Sequence, residues 1–237
     1  HACQYLKCMR RTQEIIQSRN IIGVEYCKDK DQARIPFNFI CSWLLSFGLA
    51  ALVAIMFSSQ SYLDKKTGQD GFGRRAYLKQ LVTEYQTTSN LTSKKELLAN
   101  LSNFSYDPIN FDKLKALRVP VLFVHCLSEE DWDVVELAAA GLCNVSADKS
   151  CAQLIDSAGG TPELKRLLSS SREAVVLAAL TTLYYMAFDG QLLKSIADPE
   201  VMACVDEFAT CKNPRLKNVA AVFLDHFPLR SKPQPVT

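Results

Sequence analysis

The 237-residue chain is predicted to be all-α: a right-handed solenoid of about four stacked helical repeats over residues 76–228, preceded by a separate apolar N-terminal segment. Three observations lead there. An Ala/Leu-rich phrase recurs as LLANLSNF (Leu97–Phe104), AAAGLCNV (Ala138–Val145) and LAALTTLY (Leu177–Tyr184). Aligning Leu101, Leu142 and Leu180 gives steps of 41 and 38 residues. Leu127, Leu168 and Phe208 keep nearly the same beat, with steps of 41 and 40. Composition is the third: 48% apolar and 22% charged residues are ordinary for a globular chain. Two phrases sharing one period of this size mark stacked supersecondary units. A unit this short cannot bury its apolar face alone, so function is expected on a surface made by stacking.

Along the chain, residues 1–55 form an extension. It includes most of Phe37–Phe57, a run of 21 residues without a charge, which is long enough to span a bilayer. Lys28, Lys30 and Arg34 precede the run and Lys65, Lys66, Arg74 and Arg75 follow it, so the flanks set no orientation. A polar region precedes it and no convincing cleavage site follows, unlike a signal peptide. Two accounts compete. In one, Met56 is the native start and residues 1–55 are translated upstream sequence that does not pack on the repeats; in the other, residues 37–57 are a membrane anchor. The first is the expectation. Residues 56–75 read as a disordered lead-in.

The repeat helices follow. Ala76–Gln86 places Leu78, Leu81, Val82 and Tyr85 on one helical face. A polar loop precedes Ser93–Ser105, which Asp107-Pro108 ends, since a residue before Pro disfavours helix. Phe111–Leu117 and Pro120–Leu127 read as a short and a longer helix. Ser128 is the expected cap of the next, with Glu129, Glu130 and Asp131 in its first turn complementing the dipole. Cys151–Ala158, Glu163–Leu168 and Arg172–Phe188 make the clearest unit, with a sharp turn at Gly159-Gly160. Gln191–Ile196, Pro199–Thr210 and Arg215–Phe227 repeat the order, Pro228 stops the last helix, and residues 229–237 read as a disordered tail.

The unit LIDSAGGTPELKRLLSS followed by VLAALTTLYYM resembles the armadillo repeat, through the Gly-Gly between its first two helices and the Ala-Leu-x-polar-Leu of its third. HEAT repeats are the structural alternative. YLKQLVTEYQ, LLANLSNFSYDPINFDKL, CLSEE, AAAGLCNVSADK and AALTTL, in that order from Tyr77 to Thr182, resemble the armadillo repeat-containing protein 7 family, a small group of compact armadillo proteins. The resemblance weakens through RLKNVAAVFLDHF to Phe227, and residues 1–55 have no counterpart in the family. The resemblance implies a nuclear adaptor in pre-mRNA splicing. Its partner would be an RNA-recognition-motif protein, RNA-binding motif protein 48, of the minor (U12-type) spliceosome, with the cytoplasm as the other compartment.

In armadillo proteins the third helices line a concave groove whose asparagines hydrogen-bond an extended peptide, an amide being both donor and acceptor. The candidate partner-binding residues are Asn103 and Asn144, with Thr182 at the next unit and Leu224 at the fourth. Each amide has an alternative role, capping an inter-repeat carbonyl. Tyr106 and Trp132 are candidate exposed anchors, with packing in the core or at its edge as the alternative. The incomplete Asn ladder argues against a trafficking-type peptide receptor, and a membrane-anchored armadillo adaptor depends wholly on residues 37–57 being translated.

Charge sets a further bound. Residues 1–55 carry seven Lys/Arg against four acids, and the remainder carries 20 against 21. A near-neutral repeat region suits protein binding better than phosphate binding, so RNA is expected to be reached through the partner. No cofactor, metal or catalytic residue is expected. Nine cysteines without a C-x-x-C, and three histidines, form no zinc motif, and the cysteines read as buried reduced thiols in a reducing compartment. His125 and His226 lack an evident nucleophile beside them, and Gly71-Phe-Gly73 lacks the setting of a phosphate loop. The sequons at Asn90, Asn100, Asn103 and Asn144 fall mostly in helices that must pack, which argues against glycosylation.

Overall fold

The computed structural model describes residues 58–67 and 73–227. The whole N-terminal extension at 1–55, the apolar run at 37–57 and the tail at 229–237 lie outside the described residues. Among the described residues every regular element is helical. After α1 (Gln60–Thr67) come α2 (Arg74–Thr87) and α3 (Leu91–Phe104). A 3₁₀ turn at Pro108–Asn110 leads to α4 (Phe111–Ala116), α5 (Val119–Cys126) and α6 (Trp132–Val145). The next unit is α7 (Lys149–Ser157), α8 (Gly160–Leu167) and α9 (Glu173–Met186). The last is α10 (Gly190–Ile196), α11 (Pro199–Thr210) and α12 (Pro214–His226). In each of the last three units two shorter helices precede a longer third one, whereas in the first unit α2 and α3 are equally long.

The long third helices α3, α6, α9 and α12 begin at residues 91, 132, 173 and 214, a constant step of 41. The residues before them, Asn90, Asp131, Arg172 and Asn213, keep that step. Three of the four accept hydrogen bonds from the first-turn N–H groups of their helices, which those groups otherwise lack. Asp107, Asp148 and Asp189 cap the starts of successive units at the same step. The register therefore contains no insertion. It corrects the sequence alignment at two points: Leu142 corresponds to Leu183 rather than Leu180, and Leu168 to Ala209 rather than Phe208. The steps of 38 and 40 were a one-turn and a one-residue slip.

This register explains the packing. α6 lies between α3 and α9, and α9 packs on α12, so the third helices stack side by side. Leu97, Ala138, Ala179 and Ala220 occupy one column, all buried, and the three alanines let the helices approach closely. The second helices contribute Val82, Phe123, Leu164 and Val205 in another buried column. Burying side chains of this size contributes roughly 1.5–3 kcal/mol each. Neighbouring units supply much of each other's cover, so the stack forms one continuous core.

Volume is traded between columns. Phe123 faces Gly141 on α6, where a Cβ would stand 2.5 Å from the ring. The equivalent residues are Leu164 and Thr182 in the next unit and Val205 and Phe223 in the last, so across these three units a larger second-helix residue goes with a smaller third-helix one; Val82 and Asn100 of the first unit do not follow it.

Two local expectations change. Part of the lead-in expected to be disordered is helical in α1, which buries Leu63, and the Ser58 N–H donates to Asp107 at 3.1 Å. Ser128 does not cap α6. Asp131 does, accepting from the Asp133 and Val134 N–H groups, and its carboxylate is the stronger acceptor nearer the first turn. Glu129 and Glu130 thus precede the helix instead of lying in its first turn.

Candidate docking surface along the third helices

The 41-residue step puts Asn103, Asn144, Tyr185 and His226 at one level of the four third helices. Asn103 is exposed in the last turn of α3. Asn144, half-buried, donates from Nδ2 to the Ser102 carbonyl at 3.2 Å, which ties α6 to the neighbouring helix. Its carboxamide therefore serves the inter-repeat contact, while Oδ1 accepts no bond among the described residues. Tyr185 is half-buried, its ring centroid 5.4 Å from that of Tyr184. His226 is exposed, with Nδ1 2.9 Å from the Tyr184 hydroxyl. The level thus runs from two amides to a phenol and an imidazole, all able to hydrogen-bond a peptide backbone and two able to stack.

Two sequence-derived candidates leave this surface. Thr182 is wholly buried and donates its hydroxyl to the Ala178 carbonyl at 2.7 Å, within its own helix. The slip of one turn had set it where Tyr185 belongs. Leu224 falls in the column of Leu101, Leu142 and Leu183, and packs against the core. Tyr106 is half-buried in the turn after α3, its N–H bonded to the Asn103 carbonyl at 3.2 Å, which places it beside the candidate level. Trp132 is exposed at the other end of α6 from Asn144, about 18 Å away for twelve residues of helix. Asn103, Asn144 and Tyr106 are brought together; Trp132 stands apart. Tyr185 and His226 were missed, although the spacing of Asp107, Asp148 and Asp189 could have supplied the phase.

A charged ribbon crosses the opposite ends of these helices. Lys95 of α3 pairs with Asp131 and Asp133, each at 2.8 Å, and Arg172 pairs with Asp133 at 2.9 Å and Glu136 at 3.4 Å. The Lys95 hydrogen bond holds both aspartates below the usual carboxylate range. Exposed pairs of this kind contribute little to stability, about 0–1 kcal/mol. Their effect is to fix adjacent units in register and to neutralise one another.

Three of the described cysteines are packed away, whereas Cys204 and Cys211 are half-buried, which corrects the expectation of buried thiols at those two positions. Burial pushes the Cys126 thiol up to about 11, and it lies 3.1 Å from the Tyr85 hydroxyl. Burial likewise raises Cys143 to about 12 and moves Cys151 upward. Such thiols carry almost no thiolate at neutral pH, and they pack as small hydrophobes. His125 is exposed at the end of α5. Among the described residues, no three His, Cys, Asp or Glu are grouped to hold a metal, and no helix is long and apolar enough to cross a membrane.

Comparison with known proteins agrees with this architecture. No family model matches the chain. A designed armadillo repeat protein superposes with a TM-score of 0.57 at 19% identity, over 62% of this chain and 63% of its own, so this chain spans under two-thirds of that protein. A second designed armadillo repeat protein, in complex with the peptide (KR)4, gives a TM-score of 0.53 at 17% identity, over 71% of this chain and 92% of its own. These likenesses establish the fold alone. The sequence relationship goes further: armadillo repeat-containing protein 7 of Mus musculus is 42% identical over 160 residues, covering 65% of this chain and 79% of the mouse protein. With an all-α stack of armadillo units and that identity over most of the relative's length, the chain belongs to the armadillo repeat-containing protein 7 family.

Proposed function

We propose that this protein is a non-catalytic adaptor that holds an RNA-recognition-motif protein in the nucleus, for pre-mRNA splicing by the minor (U12-type) spliceosome. The observation that carries the adaptor reading is the row of third helices, with Asn103 and Asn144 at one level and Tyr185 and His226 continuing it. Such a row offers regularly spaced hydrogen-bonding groups to an extended segment of a partner. The designed relative in complex with a peptide supports a protein ligand for this fold. Charge supports the division of labour: 20 basic against 21 acidic residues from position 56 onward release few counterions, so the partner engages the RNA. The splicing assignment rests on the family resemblance.

The test compares ligands for the purified full chain. A minor-spliceosome RNA-recognition-motif protein should co-elute with it as a stoichiometric complex. Single-stranded RNA alone should bind only in the non-specific range, on the order of 10⁻⁴–10⁻⁶ M. Depleting the protein from cells should raise retention of U12-type introns and leave U2-type introns unaffected. Tight, salt-sensitive RNA binding by the chain alone would overturn the adaptor reading, and unchanged U12-type splicing would overturn the splicing assignment.

A further inference from the structure

Leu91 and Trp132 occupy one register position, the first residue of α3 and of α6, and are 49% and 41% exposed. The stack does not require an apolar residue there, because α9 and α12 begin with Glu173 and Pro214. Single exposed hydrophobics are ordinary on a protein surface, whereas a contiguous apolar patch marks a contact site. α3 and α6 pack side by side, and helices so packed run about 8–10 Å apart, which sets Leu91 and Trp132 at one level of neighbouring helices as an apolar edge strip.

The strip is bordered by two glutamates, with the Arg166 guanidinium on the Leu127 carbonyl of the same turn. Glu129 and Glu130, in the turn before α6, are exposed, and neither is in an ion pair among the described residues. Asp131, Asp133 and Glu136 differ, each being matched by Lys95 or Arg172. Register isolates the feature further. The positions of Glu129 and Glu130 are held by Thr88 and Ser89 in the first unit, Ser170 and Ser171 in the third, and Cys211 and Lys212 in the last.

We propose that this edge docks a segment of a partner protein in which Lys or Arg alternates with large apolar residues. The apolar side chains cover Leu91 and Trp132, and the cations pair with Glu129 and Glu130. The indole face of Trp132 adds a favourable seat for one cation. The edge lies at the opposite end of α6 from Asn144, so the inference stands apart from the splicing reading.

The experiment uses the full chain with Trp43→Phe, which leaves Trp132 as the single tryptophan. The probes are three fluorescein-labelled twelve-residue peptides. One alternates Leu with Arg, one alternates Leu with Glu, and one alternates Ser with Arg. The Leu/Arg peptide should bind and shift Trp132 emission to shorter wavelength. Trp132→Ser should weaken that binding at least tenfold, judged by anisotropy, and the pair Glu129→Gln with Glu130→Gln about fivefold, with helicity unchanged by circular dichroism. The charge pair decides the matter should Trp132→Ser lose helicity. Equal binding of the Leu/Glu or Ser/Arg peptide, or unchanged affinity in the charge pair, would overturn the proposal. Self-association abolished by Trp132→Ser would overturn it too, by assigning the strip to a second copy of the chain.

Discussion

Substituting Gly141 with alanine tests whether the trade of volume between helix columns holds the second unit together. Helix propensity alone favours alanine over glycine by about 1 kcal/mol. The site opposes it. An added Cβ would lie 2.5 Å from two atoms of the Phe123 ring and 2.9 Å from a third, and Phe123 is fully buried, so the ring has no space to yield. Overpacking of this kind costs about 1–3 kcal/mol. The difference leaves Gly141→Ala destabilising by about 1 kcal/mol. Phe123→Leu alone should cost about 1–2 kcal/mol through lost ring volume. In that background Gly141→Ala should change sign and stabilise by about 1 kcal/mol, since the obstacle has gone. The coupling between the two sites is then about 2 kcal/mol, well beyond additive error. Urea denaturation of the four proteins, followed by far-ultraviolet circular dichroism, measures it. Stabilisation by Gly141→Ala in both backgrounds, with no coupling, would refute the packing argument.

Two further outcomes follow from named residues. Arg118 holds φ 55° at the position that Gly159 fills with φ 81° one unit later, and a left-handed conformation costs a side-chain-bearing residue about 1–2 kcal/mol. Arg118→Gly should therefore raise stability by about 0.5–1 kcal/mol and Gly159→Ala should lower it, both read by thermal melting. Asp189, buried at the start of α10, accepts from the Gln153 side chain, and that bond first, then the Gln191 N–H, holds its carboxyl below the ordinary value. A depressed carboxyl contributes stability above its unfolded pKa, about 3.9, and loses it as pH falls through the folded value. Asp189→Asn should thus be less stable at pH 6 and lose less on going to pH 3, by urea midpoints.

Much of this was legible in the sequence, and the reasons are local. Pro199–Thr210 was bounded correctly because Asp198-Pro199 supplies a cap and a first-turn proline together. Asn103 and Asn144 were matched because both follow an identical Leu-x-Asn. The third unit was misphased for a physical reason. Leu177, Leu180 and Leu183 repeat every turn, so any of them satisfies an apolar alignment, and Arg172 makes no side-chain cap to break the tie. Thr182 consequently stands in for Tyr185, while Leu224 stands two residues short of His226. Trp132 is a candidate anchor in the sequence, but its pairing with Leu91 is not legible there, because it depends on α3 and α6 beginning at the same register position, and the sequence places the α6 cap at Ser128 rather than Asp131.

The most direct measurement of the central claim is a titration of the full chain against a minor-spliceosome RNA-recognition-motif protein, before and after the paired changes Asn103→Ala and Asn144→Ala. A buried polar group left without its partner costs about 1–3 kcal/mol, which corresponds to roughly tenfold or more in affinity. Asn144 also bonds the Ser102 carbonyl, so Asn103→Ala alone is included as the change that leaves the inter-repeat contact intact. The third-helix account predicts severalfold weakening by the single change and at least tenfold by the pair, with unaltered helicity. Wild-type affinity in both variants would contradict it and place the interface off the third helices.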